Sequence, residues 1–137
     1  MQKLSELVYP ILLLLVFGLL FFFNLGATTV MDYDEGVYAE VSRAMHLRGE
    51  LVVPELNGTG FFEKPPMLYW LQMGGFELFG RTPLGARFFN ALTGLATLMI
   101  FYFGARSPLG NRTAFNATLI LGSSIIFVCQ KPSAQKP

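Results

Sequence analysis

Two short stretches hold the residues that could do chemistry. Met31-Asp-Tyr-Asp-Glu-Gly-Val-Tyr-Ala-Glu40 puts three carboxylates, Asp32, Asp34 and Glu35, into four positions directly after a long apolar run. Phe61-Phe-Glu-Lys-Pro-Pro66 answers it with one more carboxylate and an ammonium. Charges placed where an apolar helix leaves a bilayer are costly unless they face water or a polar site, so the first stretch is a site hypothesis by default. The competing structural role is plain. Asp34 or Asp32 can cap the helix that follows, and Glu35 then falls in a first turn where the helix dipole favours negative charge.

The rest of the chain must hold these stretches at a membrane. Apolar residues make up 53% of the 137 and charged ones only 14%, with a mean hydropathy of +0.48, which is more apolar surface than a soluble fold of this size can hide. A formal charge of +1 without a basic run excludes a nucleic-acid partner. The single cysteine, Cys129, permits no internal disulfide.

Tyr9 to Leu25 is nearly unbroken Ile, Leu, Val and Phe, long enough for a first transmembrane helix at about 9–25. It exceeds the apolar core of a secretory signal peptide, roughly 7 to 15 residues. Residues 26–86 form a mixed loop, and from Gly26 to Arg87 the chain holds eight acids against five bases. A second crossing is expected at about 87–104, with Gly85, Ala86, Ala91, Gly94 and Ala96 offering small-residue faces for close helix contact. A partial third is expected at about 114–128. Lys3, Arg106 and Arg112 flank the apolar runs on one side, which puts them on the cytoplasmic face and turns the acidic loop outward. From Cys129 to Pro137 the chain is abruptly polar and carries two Lys-Pro pairs, which reads as an aberrant tail and a truncated chain.

Within the loop, Val37, Tyr38, Val41, Ala44 and Met45 recur at helical spacing with Gly49 as a stop, the pattern of an amphipathic helix on the interface. Asn57-Gly-Thr-Gly60 is turn chemistry. Pro65 and Pro66 suit the entry to a second helix, from Met67 to near Phe79-Gly80, too short to span. Its Tyr69 and Trp70 are expected at the headgroup level as interface anchors. His46 has no second histidine to join it as a ligand, so packing or solvent is its default.

Taken together, Asp34-Glu-Gly-Val-Tyr-Ala-Glu-Val-Ser-Arg43, Gly49-Glu-Leu-Val-Val-Pro54, Leu56-Asn-Gly58, Phe62-Glu-Lys-Pro-Pro66, Tyr69-Trp70, Leu78-Phe-Gly80 and Ala86-Arg87 resemble the start of bacterial family 39 glycosyltransferases. These are the protein mannosyltransferase-like enzymes that include the aminoarabinose transferase acting on lipid A. The resemblance implies an all-α integral membrane protein of the GT-C class. In this chain that means a GT-C-like N-terminal part over residues 1–128, with about three transmembrane helices and two juxtamembrane helices in the first outward loop.

It implies transfer of a sugar from a polyprenyl-phosphate carrier to a lipid, glycan or protein acceptor, from a multi-pass position in the bacterial inner membrane with the catalytic loop in the periplasm. So short a chain is expected to be inactive alone. Motif for motif, Asp34 falls on the catalytic carboxylate, Tyr38 on the carrier-phosphate site and Lys64 on a phosphate-binding cation. Glu35 lies in the same substrate-binding motif, and Glu63 matches a carboxylate associated with a divalent metal ion in the aminoarabinose branch. That branch has Arg where this chain has Val37. The expected partners are a polyprenyl-phosphate-linked sugar donor and the lipid bilayer. The alternative from a different class is a small non-enzymatic membrane protein assembling with partner helices through its small-residue faces.

Overall fold

The computed structural model describes the backbone of residues 2–27 and 33–129 and the side chains of 7–27 and 35–124. The chain is mostly helical. Its elements are α1 (Gln2–Phe22), α2 (Tyr33–Arg48), β1 (Glu55–Leu56), β2 (Thr59–Gly60), α3 (Pro66–Phe79), α4 (Pro83–Leu109) and α5 (Asn111–Cys129). They fall into two units, one of residues 1–23 and 93–137, the other of residues 24–92.

In the first unit α1 packs on α5. The core is Leu13 and Phe17 of α1, Leu98 and Tyr102 of α4 and Ala114 of α5. Tyr9 lies against Phe115, ring centroids 4.9 Å apart. Gly122 lies so close to the Phe17 ring that a Cβ there would overlap it. The outer surface stays apolar, with Leu7, Leu15 and Leu19 of α1, Ile100 of α4 and Ile120 of α5 all exposed. A helix that is apolar all round belongs in a large core or in lipid.

Among the described residues only α4 is long and apolar enough to cross a membrane by length and composition. At 27 residues it is about 40 Å long, against a hydrocarbon core of roughly 30 Å. The apolar stretch of α1 with described side chains, Leu7–Phe22, is shorter. Helix α1 ends at Phe22, ahead of the sequence reading's Leu25, because Asn24 adopts a left-handed conformation (φ 62°), one of the few side chains to do so readily. Helix α4 ends at Leu109, and the Gly110 that follows (φ 79°) bonds its N–H to the Arg106 carbonyl at 3.0 Å. Gly110 is the sole residue between α4 and α5, and its own carbonyl accepts the Ala114 N–H at 3.0 Å. Residues 130–137 of the polar tail lie outside the described residues.

The second unit is built on two facing stripes. Tyr38, Val41, Ser42 and Met45 of α2 and Tyr69, Gln72, Met73 and Phe76 of α3 repeat at three- and four-residue steps, and α2 packs on α3 along them. Buried in this seam, the Ser42 hydroxyl donates to the Gln72 Oε1 at 2.5 Å. The stop at Gly49 is a complete Schellman motif: φ is 66°, its N–H reaches the His46 carbonyl at 3.4 Å and the Glu50 N–H reaches Met45 at 3.1 Å.

Two features depart from the helical expectation. The Asn57-Gly58 turn closes a small antiparallel hairpin, Glu55 paired with Gly60 and Leu56 with Thr59. Both turn residues have positive φ, 54° and 80°, as a type I′ turn requires. Helix α4 also starts at Pro83, four residues before the expected crossing. Thr82 caps it by accepting the Gly85 N–H on its hydroxyl at 3.2 Å, with proline in the first position.

Helices α3 and α4 cross at two glycines. A Cβ on Gly75 would overlap the Gly85 carbonyl oxygen, and one on Gly85 would lie 2.5 Å from the Gly80 oxygen. Gly85 was expected to support close contact, and its partner is Gly75.

Candidate functional site

Tyr38 stands on the α2 face that packs toward α3. The chain leaving the hairpin is tied back by the Phe61 N–H on the Pro54 carbonyl at 2.7 Å, which sets Phe61 beside Tyr38 with ring centroids 6.3 Å apart. Residues 63–65 then turn into α3, where Pro65 (φ −58°) and Pro66 fix the entry. This route carries the Lys64 ammonium over the Tyr38 ring, 5.6 Å from its centroid, a cation–π contact. Two expected site residues, far apart in sequence, thus meet. Lys64 is exposed and Tyr38 half-buried, so the ammonium is open to an anion from outside.

Asp34 lies in the first turn of α2, inside the helix and not ahead of it. Position 34 is one turn before Tyr38 and on the same face. Its side chain lies outside the described atoms, and Asp32, the other capping candidate, lies outside the described residues.

Glu35 is held by Arg87. The guanidinium donates from Nε at 2.5 Å and from a terminal nitrogen at 2.9 Å to the two carboxylate oxygens, while its other terminal nitrogen donates to the Leu25 carbonyl at 3.1 Å. Both side chains are less than one third exposed. The pair ties the start of α2 to α4 and to the chain before it, a positioning task over a separation of 52 residues. Arg87→Ala should lower the unfolding free energy by roughly 2–3 kcal/mol, read by denaturant titration in detergent, because it strands a half-buried carboxylate. Lysine should not restore it, lacking the two-pronged geometry.

Glu63 is exposed, and among the described residues no three His, Cys, Asp or Glu side chains gather where they could hold an ion. It offers a divalent ion one carboxylate and no completed site.

Tyr69 does not serve as an interface anchor. It is fully buried in the α2–α3 core, because it shares its helical stripe with Gln72, Met73 and Phe76. Burial pushes its phenol above the ordinary value, and the nearby Tyr38 and Glu63 add to that. Trp70 points the other way, half exposed, with its indole N–H on the Leu51 carbonyl at 2.7 Å. His46 bonds Glu77 at 2.9 Å and lies edge-on to Phe76.

A cleft of about 210 Å³ lies elsewhere in the same unit, lined by Gly36, Glu40, Arg43, Arg81 and Thr82 among others. It contains none of Tyr38, Glu63 or Lys64. Arg43 donates to both oxygens of Glu40, at 2.7 and 2.6 Å, and holds that carboxyl below its usual range. The Arg43 charge is therefore already answered inside the cleft.

A span-length apolar helix and an apolar outer surface are traits of a membrane-embedded helical protein. Comparison with known proteins supplies the family: the model for dolichyl-phosphate-mannose-protein mannosyltransferases matches residues 63–133, and the chain belongs to this family of GT-C glycosyltransferases.

An uncharacterized protein of Aquifex aeolicus (strain VF5) is 40% identical over 129 residues, covering 93% of this chain and 25% of that protein. An undecaprenyl phosphate-alpha-4-amino-4-deoxy-L-arabinose arabinosyl transferase of Aeromonas hydrophila subsp. hydrophila is 44% identical over 94 residues, covering 68% of this chain and 17% of the transferase. Among solved structures, ArnT from Cupriavidus metallidurans bound to undecaprenyl phosphate superposes with a TM-score of 0.69 at 36% identity, covering 76% of this chain and 19% of ArnT. The chain thus spans about a quarter or less of the length of the relatives it matches.

Proposed function

We propose that this chain carries the carrier-phosphate side of a membrane glycosyltransferase that moves a sugar from a polyprenyl-phosphate carrier to a lipid, glycan or protein acceptor. The observation that carries the reading is the Lys64 ammonium poised over Tyr38, in a chain similar to an ArnT bound to undecaprenyl phosphate. The phosphate ester is already a fair leaving group. What it needs is positive charge beside the departing oxygens, which Lys64 supplies, and a donor such as the Tyr38 phenol. The acceptor hydroxyl is the harder partner, and Asp34 takes its proton as its oxygen bonds to the sugar carbon and the carbon–phosphate oxygen bond breaks. A single displacement of this kind inverts the sugar carbon.

Glu35 contributes by fixing the start of α2 through Arg87. Glu63 would offer a divalent ion one carboxylate, and among the described residues no further ligands gather to complete such a site. The helices α1, α4 and α5 are the three spans, in the bacterial inner membrane, with the α2–α3 unit on the periplasmic side; the apolar outer surfaces and the distribution of Lys and Arg support this.

The test is binding. Undecaprenyl phosphate titrated into phosphatidylcholine nanodiscs holding the chain should bind, and undecaprenol, which lacks the phosphate, should not. Lys64→Ala should weaken binding about tenfold or more, the usual loss when a charge-assisted contact to phosphate is removed. Equal affinity for the two lipids, or for the two proteins, would end the reading.

A further inference from the structure

The oxygen of Tyr69 has no structural explanation. The ring is accounted for by packing with Val41, Met45 and Met73, and phenylalanine would pack there equally well. The side chain is 0% exposed, yet among the described residues no donor or acceptor reaches its hydroxyl. A buried hydroxyl without a partner costs free energy that phenylalanine would avoid, and such groups call for a reason. The surroundings supply one. The Tyr38 ring is 6.5 Å from the Tyr69 ring, and Lys64 lies across Tyr38. The negative charge of Glu63, the residue before Lys64, adds to the upward push on the phenol. Held above its ordinary value, it keeps its proton at neutral pH and can only gain by donating it in a hydrogen bond.

We propose that Tyr69 is a further phosphate-binding residue: its hydroxyl donates to an anionic oxygen held by Lys64, whose exposed side chain leaves the Tyr38 face as the phosphate arrives. This rests on the carrier-phosphate reading of Lys64 and Tyr38. The unpaired hydroxyl is then a donor kept ready for the ligand.

The chain as wild type, Tyr69→Phe and Lys64→Ala is placed in phosphatidylcholine nanodiscs and titrated with undecaprenyl phosphate, with undecaprenol as the phosphate-free control. Its single tryptophan, Trp70, is the fluorescent reporter. Tyr69→Phe should bind the phosphate lipid roughly tenfold more weakly, the loss expected for one hydrogen bond to a charged group. Without ligand its melting temperature should be equal to wild type or higher. Wild-type affinity in Tyr69→Phe overturns the assignment, and so does a lowered melting temperature, which would mean that the hydroxyl has a partner inside the protein. Unchanged binding in Lys64→Ala, or equal binding of undecaprenol, brings down the carrier-phosphate reading itself and the Tyr69 assignment with it.

Discussion

Asp34→Ala is expected to slow sugar transfer by about 10²- to 10⁴-fold while leaving carrier binding within a factor of a few, because a positioned base acts on the acceptor's proton and not on the donor's phosphate. Transfer can be read in a chimera in which this chain replaces the matching segment of ArnT from Cupriavidus metallidurans, with binding of undecaprenyl phosphate measured in parallel. The split between the two readouts is what matters. A loss of both would say that position 34 supports the first turn of α2, as a cap or a dipole partner would. Full activity in the variant would remove the base from the reaction altogether. Asp34→Asn sharpens the result, since it keeps the hydrogen-bonding shape and loses the proton-accepting charge.

The second large effect lies away from the chemistry. Gly75→Ala should destabilise the α2–α3 unit by about 1–3 kcal/mol, although alanine is the better helix former by about 1 kcal/mol. The two effects oppose each other and the contact decides. The added methyl meets the Gly85 carbonyl, which is backbone and cannot swing aside as a side chain can, and Gly85 is itself hemmed in by the oxygens of Gly75 and Gly80. Relief requires moving α3 off the start of α4, with Tyr69 and Lys64 following α3. Guanidinium denaturation in detergent would measure the loss. A neutral or stabilised variant would mean the helices pass each other more loosely than this crossing implies.

How far such features could be read beforehand varied with their range along the chain. The α2 stripe and its Gly49 stop follow from periodicity and a glycine in place, so the helix and its inward face were legible. The early start of α4 was also within reach, since threonine followed by proline is a helix-opening pair. The apolar run beyond Arg87 is the stronger signal and draws the expected boundary to that later residue. Tyr69 was misplaced for a different reason. A tyrosine next to a tryptophan suggests a headgroup belt, and only the partner stripe on α2 shows that one of the two turns inward. The Glu35–Arg87 clamp and the Gly75–Gly85 crossing join residues from separate elements, and no local pattern reports which charge or which glycine will be the partner. The resemblance assigns Tyr38 and Lys64 separately to the carrier phosphate; that the one lies over the other is legible only in the fold, where the route depends on a hairpin whose strands are two residues each.

The joint at Gly110 has a consequence for how this architecture can change over time. An α-helix advances about 100° per residue, so one residue added or removed there would rotate α5 about its own axis by that angle. Ala114, Thr118 and Gly122, which now look inward, would be carried toward the outside together. Substitutions along α5 can accumulate one by one, whereas a length change at this single-residue hinge alters the phase of the whole helix at once. The connection is therefore a frozen gauge of angular registry, and insertions are better tolerated in the exposed chain around residues 51–53.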